Sequence, residues 1–174
     1  TEVYTIGSEG GNINIDLATN IDYEIDIPEG ISYSWISLDT TRAMRDETLT
    51  FTVMANTAET SRVVIIRAKY NIDNEDKEHL FAIVQDCENV ALNEITYSSD
   101  NDEVVELTTT ENFGSHFVLH FFDDAKRKGR IIFATNVRYI PESCFEDMNS
   151  ITSITIPNKV EAIESRAFAG CTLL

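Results

Sequence analysis

Two histidines four residues apart, His116 and His120, are the first place to look for metal chemistry, because on a helix that spacing sets both imidazoles on one face. Their neighbours point elsewhere. Phe117, Val118, Leu119, Phe121 and Phe122 favour a strand, and four strand steps span about 13 Å, too far for both rings to reach one ion. The pair therefore reads as structural or as surface residues. Asp100-Asn101-Asp102-Glu103 and Asp123-Asp124 gather carboxylates that suit Ca²⁺, yet neither follows the twelve-residue loop with its closing Glu, and both read as solvated turns. Cys87, Cys144 and Cys171 sit in no Cys-x-x-Cys or Cys/His zinc spacing. They read as small buried hydrophobes, with a Cys144 to Cys171 pairing left open. No metal and no cofactor is expected.

Catalytic motifs are absent as well: there is no Gly-x-Ser-x-Gly, no phosphate-cradling Gly-x-Gly-x-x-Gly and no His-Glu-x-x-His. With 30 acidic residues in 174, some carboxylates fall close together by chance, so paired acids carry no argument for glycoside hydrolysis. The expectation is a chain that is not an enzyme. Two candidates for binding remain. Lys126-Arg127-Lys128-Gly129-Arg130 concentrates positive charge and suits an acidic glycan or a partner, against the simpler reading of a solvated turn around Gly129. Tyr33 and Trp35 alternate as on one face of a strand, where exposed aromatics would stack on sugar rings; the simpler reading makes Trp35, the sole Trp, a core residue.

Thirteen basic against 30 acidic residues give a formal charge of −17, which repels phosphate backbones and anionic membranes, so nucleic acid is not an expected partner. The length admits one large or two small globular units, and 43% hydrophobic residues suffice to bury a core. No apolar run approaches the roughly 18 residues that cross a bilayer. The chain starts at Thr1 without an initiator Met, so a processed or excised form is expected, any export signal having been removed with the missing part.

The elements that must position these residues follow two periods. In the first half Ile13, Ile15 and Leu17, then Tyr23, Ile25 and Ile27, then Leu49, Phe51 and Val53 alternate with polar residues, the mark of strands with one wet face. Val63 to Ile66 and Leu80 to Val84 are apolar on both faces, as strands inside packed sheets are, and the polar run Asn71 to Lys77 between them suits a hairpin loop. Strands beginning near residues 13, 23, 33, 49, 63 and 80 predict an antiparallel, Ig-like β-sandwich over 1–88.

The second half repeats itself. Val137, Ile140 and Phe145 recur as Val160, Ile163 and Phe168 at a constant offset of 23 residues, the period of a solenoid whose units bury their faces against each other. Ile154, Ile156, Val160, Ile163 and Phe168 are its expected core, Ser153 to Ile156 its strand, and Ser153 and Thr155 its outward positions. Two units need a cap. Residues 89–136, with strands at Ile95 to Tyr97, Phe117 to Phe122 and Arg130 to Phe133, lie where that cap belongs, and 137–174 carry the repeats. Because Leu174 falls inside a repeat, the natural protein is expected to continue.

Set beside known families, the first half resembles the BACON domain, a carbohydrate-binding-associated sandwich. The likeness rests on Gly10-Gly11, Ala18-Thr19-Asn20 before Tyr23, Trp35-Ile36-Ser37, Val53-Met54-Ala55-Asn56 followed by Arg62, and Val84-Gln85. The second half is similar to bacterial leucine-rich repeats of the BspA-like type through Ser153-Ile154-Thr155-Ile156-Pro157-Asn158-Lys159-Val160 and Ala167-Phe168-Ala169-Gly170-Cys171. The resemblances imply a mainly β fold, a sandwich followed by a capped leucine-rich-repeat solenoid with short helices. They further imply a non-catalytic adhesion or binding protein, secreted or anchored at the outer membrane of a gut bacterium. A host or bacterial surface protein is the implied partner of the repeats, with the sandwich as stalk; a polysaccharide or mucin glycan held by the sandwich is the alternative.

Overall fold

The computed structural model describes residues 1–17, 22–28, 33–39 and 47–174. Its strands are β1 (Glu2–Ile6), β2 (Gly11–Leu17), β3 (Tyr23–Asp26), β4 (Ile36–Leu38), β5 (Glu47–Val53), β6 (Arg62–Ile72) and β7 (Glu75–Gln85) in the first half. The second half adds β8 (Glu94–Ser99), β9 (Phe117–Asp123), β10 (Lys128–Phe133), β11 (Tyr139–Ile140), β12 (Ile151–Thr155) and β13 (Ala162–Ile163). The fold is mainly β, and among the described residues there is no α-helix. Contacts divide it into two compact units, 1–57 with 62–88, and 58–61 with 89–174; four residues before β6 thus fall with the second unit.

In the first unit the sheets run β1-β7-β6-β3 and β2-β5-β4. Alternation decides what each strand buries: Ile13 and Ile15 of β2, Leu49, Phe51 and Val53 of β5, Val64 and Ile66 of β6 and Phe81 and Ile83 of β7 meet in one hydrophobic cluster to which both sheets contribute. That is the layering of a β-sandwich. Its hairpin loop is tighter than the polar run 71–77 suggests. Asp73 and Asn74, with φ of 54° and 63°, alone make the turn, and both have left-handed backbones, as a two-residue turn joining right-twisted strands requires. The sequence also hides β1, which pairs parallel to β7, and places a strand start near 33 where β4 begins at Ile36. The Ala18-Thr19-Asn20 step lies outside the described residues.

The second unit has a sheet of order β12-β8-β10-β9, all antiparallel, and a parallel pair, β11-β13. The three strands expected in 89–136 are there as β8, β9 and β10. The expected repeat strand is there too, as Ile151–Thr155, but its partner is β8, with Thr155 opposite Thr96 and Ser153 opposite Ser98. Repeat-to-repeat pairing runs instead through β11 and β13, where Tyr139 meets Ala162 and Ile140 meets Ile163, each 23 residues on.

Where short helices were expected, residues 142–147 and 165–170 are turns. The reason is local: Ser143 and Arg166 share φ near 55°, and Asp147 and Gly170 have φ of 59° and 79°, so each left-handed position recurs 23 residues later. Such a residue stops α-helical hydrogen bonding. The freed amides bond across coils: Ser143, Phe145 and Asp147 donate N–H to the carbonyls of Ser165, Ala167 and Ala169. Phe145, Ile140, Val137 and Cys144 are buried in the core of this unit, with Ile154, Ile156, Val160 and Phe168 packed against it. Ile163, expected in that core, is 56% exposed, since no described segment covers the outer side of its coil.

Candidate functional site

Each charge in the basic run has a partner. Lys126 lies 3.8 Å from Asp123, Arg127 pairs with Asp102, and Lys128 Nζ donates to Ser98 Oγ at 2.6 Å. Arg130, only 3% exposed along its side chain, donates Nε and Nη2 to the two Glu94 oxygens at 2.5 and 2.9 Å and Nη1 to Asp123 at 3.2 Å. Glu94 also accepts from Ser61 Oγ at 2.6 Å. A bidentate guanidinium with two buried carboxylates satisfies charges that would be costly alone. This cluster went unseen in the sequence, where 30 acids hide the two that matter.

Gly129 is not the turn residue. It lies in β10 beneath the Tyr97 ring, where an added Cβ would fall 1.9 Å from Cζ, while residues 124–127 turn, with Arg127 at φ 52°. The close approach of a ring, not backbone freedom, calls for glycine here.

His116 and His120 part company. His116 stands before β9, exposed, with its carbonyl accepting the Ala134 N–H at 2.9 Å. His120 points inward and its Nε2 lies 2.7 Å from Tyr97 Oη. That oxygen accepts the Val105 N–H at 2.9 Å, so the buried phenol hydrogen is available for Nε2, which accepts it. Burial pushes the His120 pKa down to about 4 and raises that of Tyr97. A neutral, half-buried imidazole bonded to Tyr97 is a packing group. Among the described residues no three His, Cys, Asp or Glu side chains converge as a metal site.

All three cysteines are free thiols, so Cys144 and Cys171 are not bridged. Burial pushes the Cys144 thiol up to about 12, far from thiolate chemistry, and Cys171 Sγ sits 2.9 Å from the Phe145 carbonyl. Asp100 to Glu103 form a turn closed on itself by Asn101 and Ser99.

Tyr33 and Trp35 precede β4 rather than sharing a strand with each other. Trp35 is 7% exposed in the first unit's core, with the Arg62 guanidinium 5.8 Å above its ring, and Tyr33 packs half-buried against the same core. Trp35 is thus a core residue, while Tyr33 stays partly exposed.

Three places remain that could hold a ligand. The wet face of β2-β5-β4 is a ladder of short polar side chains: Thr48, Thr50 and Thr52 donate to Asp16, Asn14 and Asn12 at 2.5, 3.0 and 3.2 Å, and Thr52 and Ser37 also bond Asp39. In the second unit Ser153 and Thr155 are exposed on β12, beside Ser98 and Thr96. A cavity of about 620 Å³ opens elsewhere on that unit, lined by Thr109, Asn112, Gly114, Tyr139, Pro141, Glu142 and Glu164. It joins the loop before β9 to two coils, and no motif announces it.

Comparison with known proteins divides the chain in the same order as these surfaces. Residues 23–86 match the model of the BACON family, described as "Putative binding domain, N-terminal", and residues 108–174 match that of the BspA type leucine rich repeat region (6 copies). No curated protein matches the chain. Among solved structures it is similar to a Bacteroides ovatus GH5 xyloglucanase in complex with a XXXG heptasaccharide, at 13% identity and a TM-score of 0.39, over 64% of this chain. The aligned part spans about a fifth of that enzyme, 21% of its length.

Proposed function

We propose that this chain, a BACON-type module followed by BspA-type leucine-rich repeats, is a non-catalytic binding protein, secreted or held at the cell surface, whose repeats recognise a protein or matrix ligand. The observation that carries this reading is the coil stack: main-chain hydrogen bonds at a near-constant offset fix each turn of chain on the next, leaving Ser153 and Thr155 exposed on a rigid strand. Rigid, outward, short hydroxyl side chains lose little entropy when a partner orders them. On this reading the antiparallel sheet β8-β10-β9 is the cap of a solenoid and the first unit its stalk. The matched families are typical of extracellular proteins, and no helix among the described residues is long and apolar enough to cross a membrane.

A second reading has its own support. The ladder on β2-β5-β4 exposes amides, hydroxyls and carboxylates without a long flexible side chain among its named residues, chemistry that suits a neutral polysaccharide held by hydrogen bonds.

The test is one immobilised chain against two panels, extracellular-matrix proteins and neutral plant and mucin polysaccharides, by interferometry. Saturable protein binding that Ser153→Arg with Thr155→Arg abolishes supports the first reading. Polysaccharide binding that Asn14→Ala with Thr50→Ala abolishes supports the second and overturns the first. Silence on both panels overturns both.

A further inference from the structure

The 620 Å³ cavity has the size of ligand clefts in general and a lining of unusual division. One part is apolar or aromatic, Pro141 and the Tyr139 ring. The other is polar and negative: Glu142, Glu164, Asn112 and Thr109. The basic groups nearest in the chain are already engaged. Arg138 donates Nε and Nη2 to Glu161 at 2.9 and 3.0 Å, and Arg166 pairs with Glu146. Arg166 senses Glu142 only at longer range, behind Glu146. Neither the Glu142 nor the Glu164 carboxylate has a hydrogen bond or ion pair to a described residue, Glu164 bonding through its main chain alone.

We propose that this cavity receives a lysine or arginine side chain from an exposed basic segment of a partner protein. Such a side chain has the same division as the lining: an apolar stem to lie along Tyr139 and Pro141, and a cationic head to sit between the two carboxylates. The molecule already displays half of this contact, for the Arg138 guanidinium lies 5.6 Å from the Tyr139 ring centroid, so the ring accepts a cation. Asn112 and Thr109 offer neutral oxygens for the remaining N–H donors of the head. The −17 charge of the whole chain draws basic partners toward it and repels acidic ones, which is where charge complementarity acts most, on encounter and choice of partner. The site is separate from Ser153 and Thr155 and does not rest on their role.

The probe is the fluorescent peptide acetyl-(Gly-Lys)₃-amide, titrated with the full chain at 0.15 M salt by polarisation. Saturable binding is expected, and Glu142→Gln with Glu164→Gln weakens it at least tenfold. Asp124→Asn with Glu88→Gln, the same loss of charge at exposed sites outside the lining, changes it less than twofold. Tyr139→Leu, read by the same titration and by circular dichroism for retained fold, weakens it several-fold. Three results overturn the proposal: no saturable binding, equal losses in the two charge variants, or spermidine displacing the peptide at equal concentration. Ser153→Arg with Thr155→Arg leaves peptide binding intact, so failure here and failure of the strand-face reading are told apart.

Discussion

Phe145 and Phe168 stack with ring centroids 5.2 Å apart and planes within 6° of parallel, one full repeat of sequence separating them. The same step relates Arg138 to Glu161, bonded at 2.9 Å, and Asn149 to Thr172, bonded at 2.8 Å. An aromatic, an ionic and a neutral contact therefore fix one translation between coils.

Replacing Phe145, which is fully buried, by Ala should cost about 3–5 kcal/mol. Phe168→Ala should cost less, because that ring is only partly buried. In the double variant the losses should fall short of additive by about 0.5–1.5 kcal/mol, the part due to the ring pair itself. Urea unfolding followed by circular dichroism measures all three; strict additivity would mean that the stack contributes nothing beyond burial.

The 23-residue step was legible because Val, Ile and Phe return in phase, and the strands at 95, 117 and 130 because their residues favour the pleat. Pairing was not. Nothing in Ser153 and Thr155 names Ser98 and Thr96, more than fifty residues earlier, as their partners, since register between distant strands is set by packing. Helices were expected in the repeat from a family likeness, while the left-handed positions at Ser143 and Arg166 carry no residue-type signal at all. Trp35 and His120 turned on a different limit, for an aromatic or a histidine reads alike in a core and in a site until its burial is known.

Trp35 fills the first unit's core and carries the Arg62 cation on its ring. Trp35→Ala should therefore destabilise that unit by about 3–5 kcal/mol, and Trp35→Phe by distinctly less. Thermal unfolding by circular dichroism reads both. A Trp35→Ala protein of unchanged stability would return the residue to the surface and reopen its role as a sugar platform.

At Gly129 any side chain meets the Tyr97 ring, itself fully buried and bonded at its hydroxyl to Val105 and His120. Rigid rings held at both ends give little, so Gly129→Ala should cost about 1–3 kcal/mol or more through overpacking. Lys128→Ala next to it removes only a partly buried bond to Ser98 and should cost under about 1 kcal/mol. Comparable losses at the two positions, measured by urea unfolding, would contradict the ring contact.

His120 makes stability depend on pH in a window of its own. Its imidazole titrates near 6.5 when unfolded and at about 4 when folded, because burial disfavours the cation. Between these values the unfolded chain binds a proton that the folded chain does not. Stability therefore falls as pH drops from about 6.5 to about 4 and levels off below, by up to a few kcal/mol. Above 6.5 both states are neutral at this residue and it adds no slope. His120→Gln, whose amide can still accept from Tyr97, should remove this component: the difference in unfolding free energy between wild type and variant should move by more than 1 kcal/mol from pH 7 to pH 4.5. Parallel curves for the two proteins would show that the imidazole takes up its proton in the folded chain as readily as in water, and the Tyr97 bond could not then be the one described.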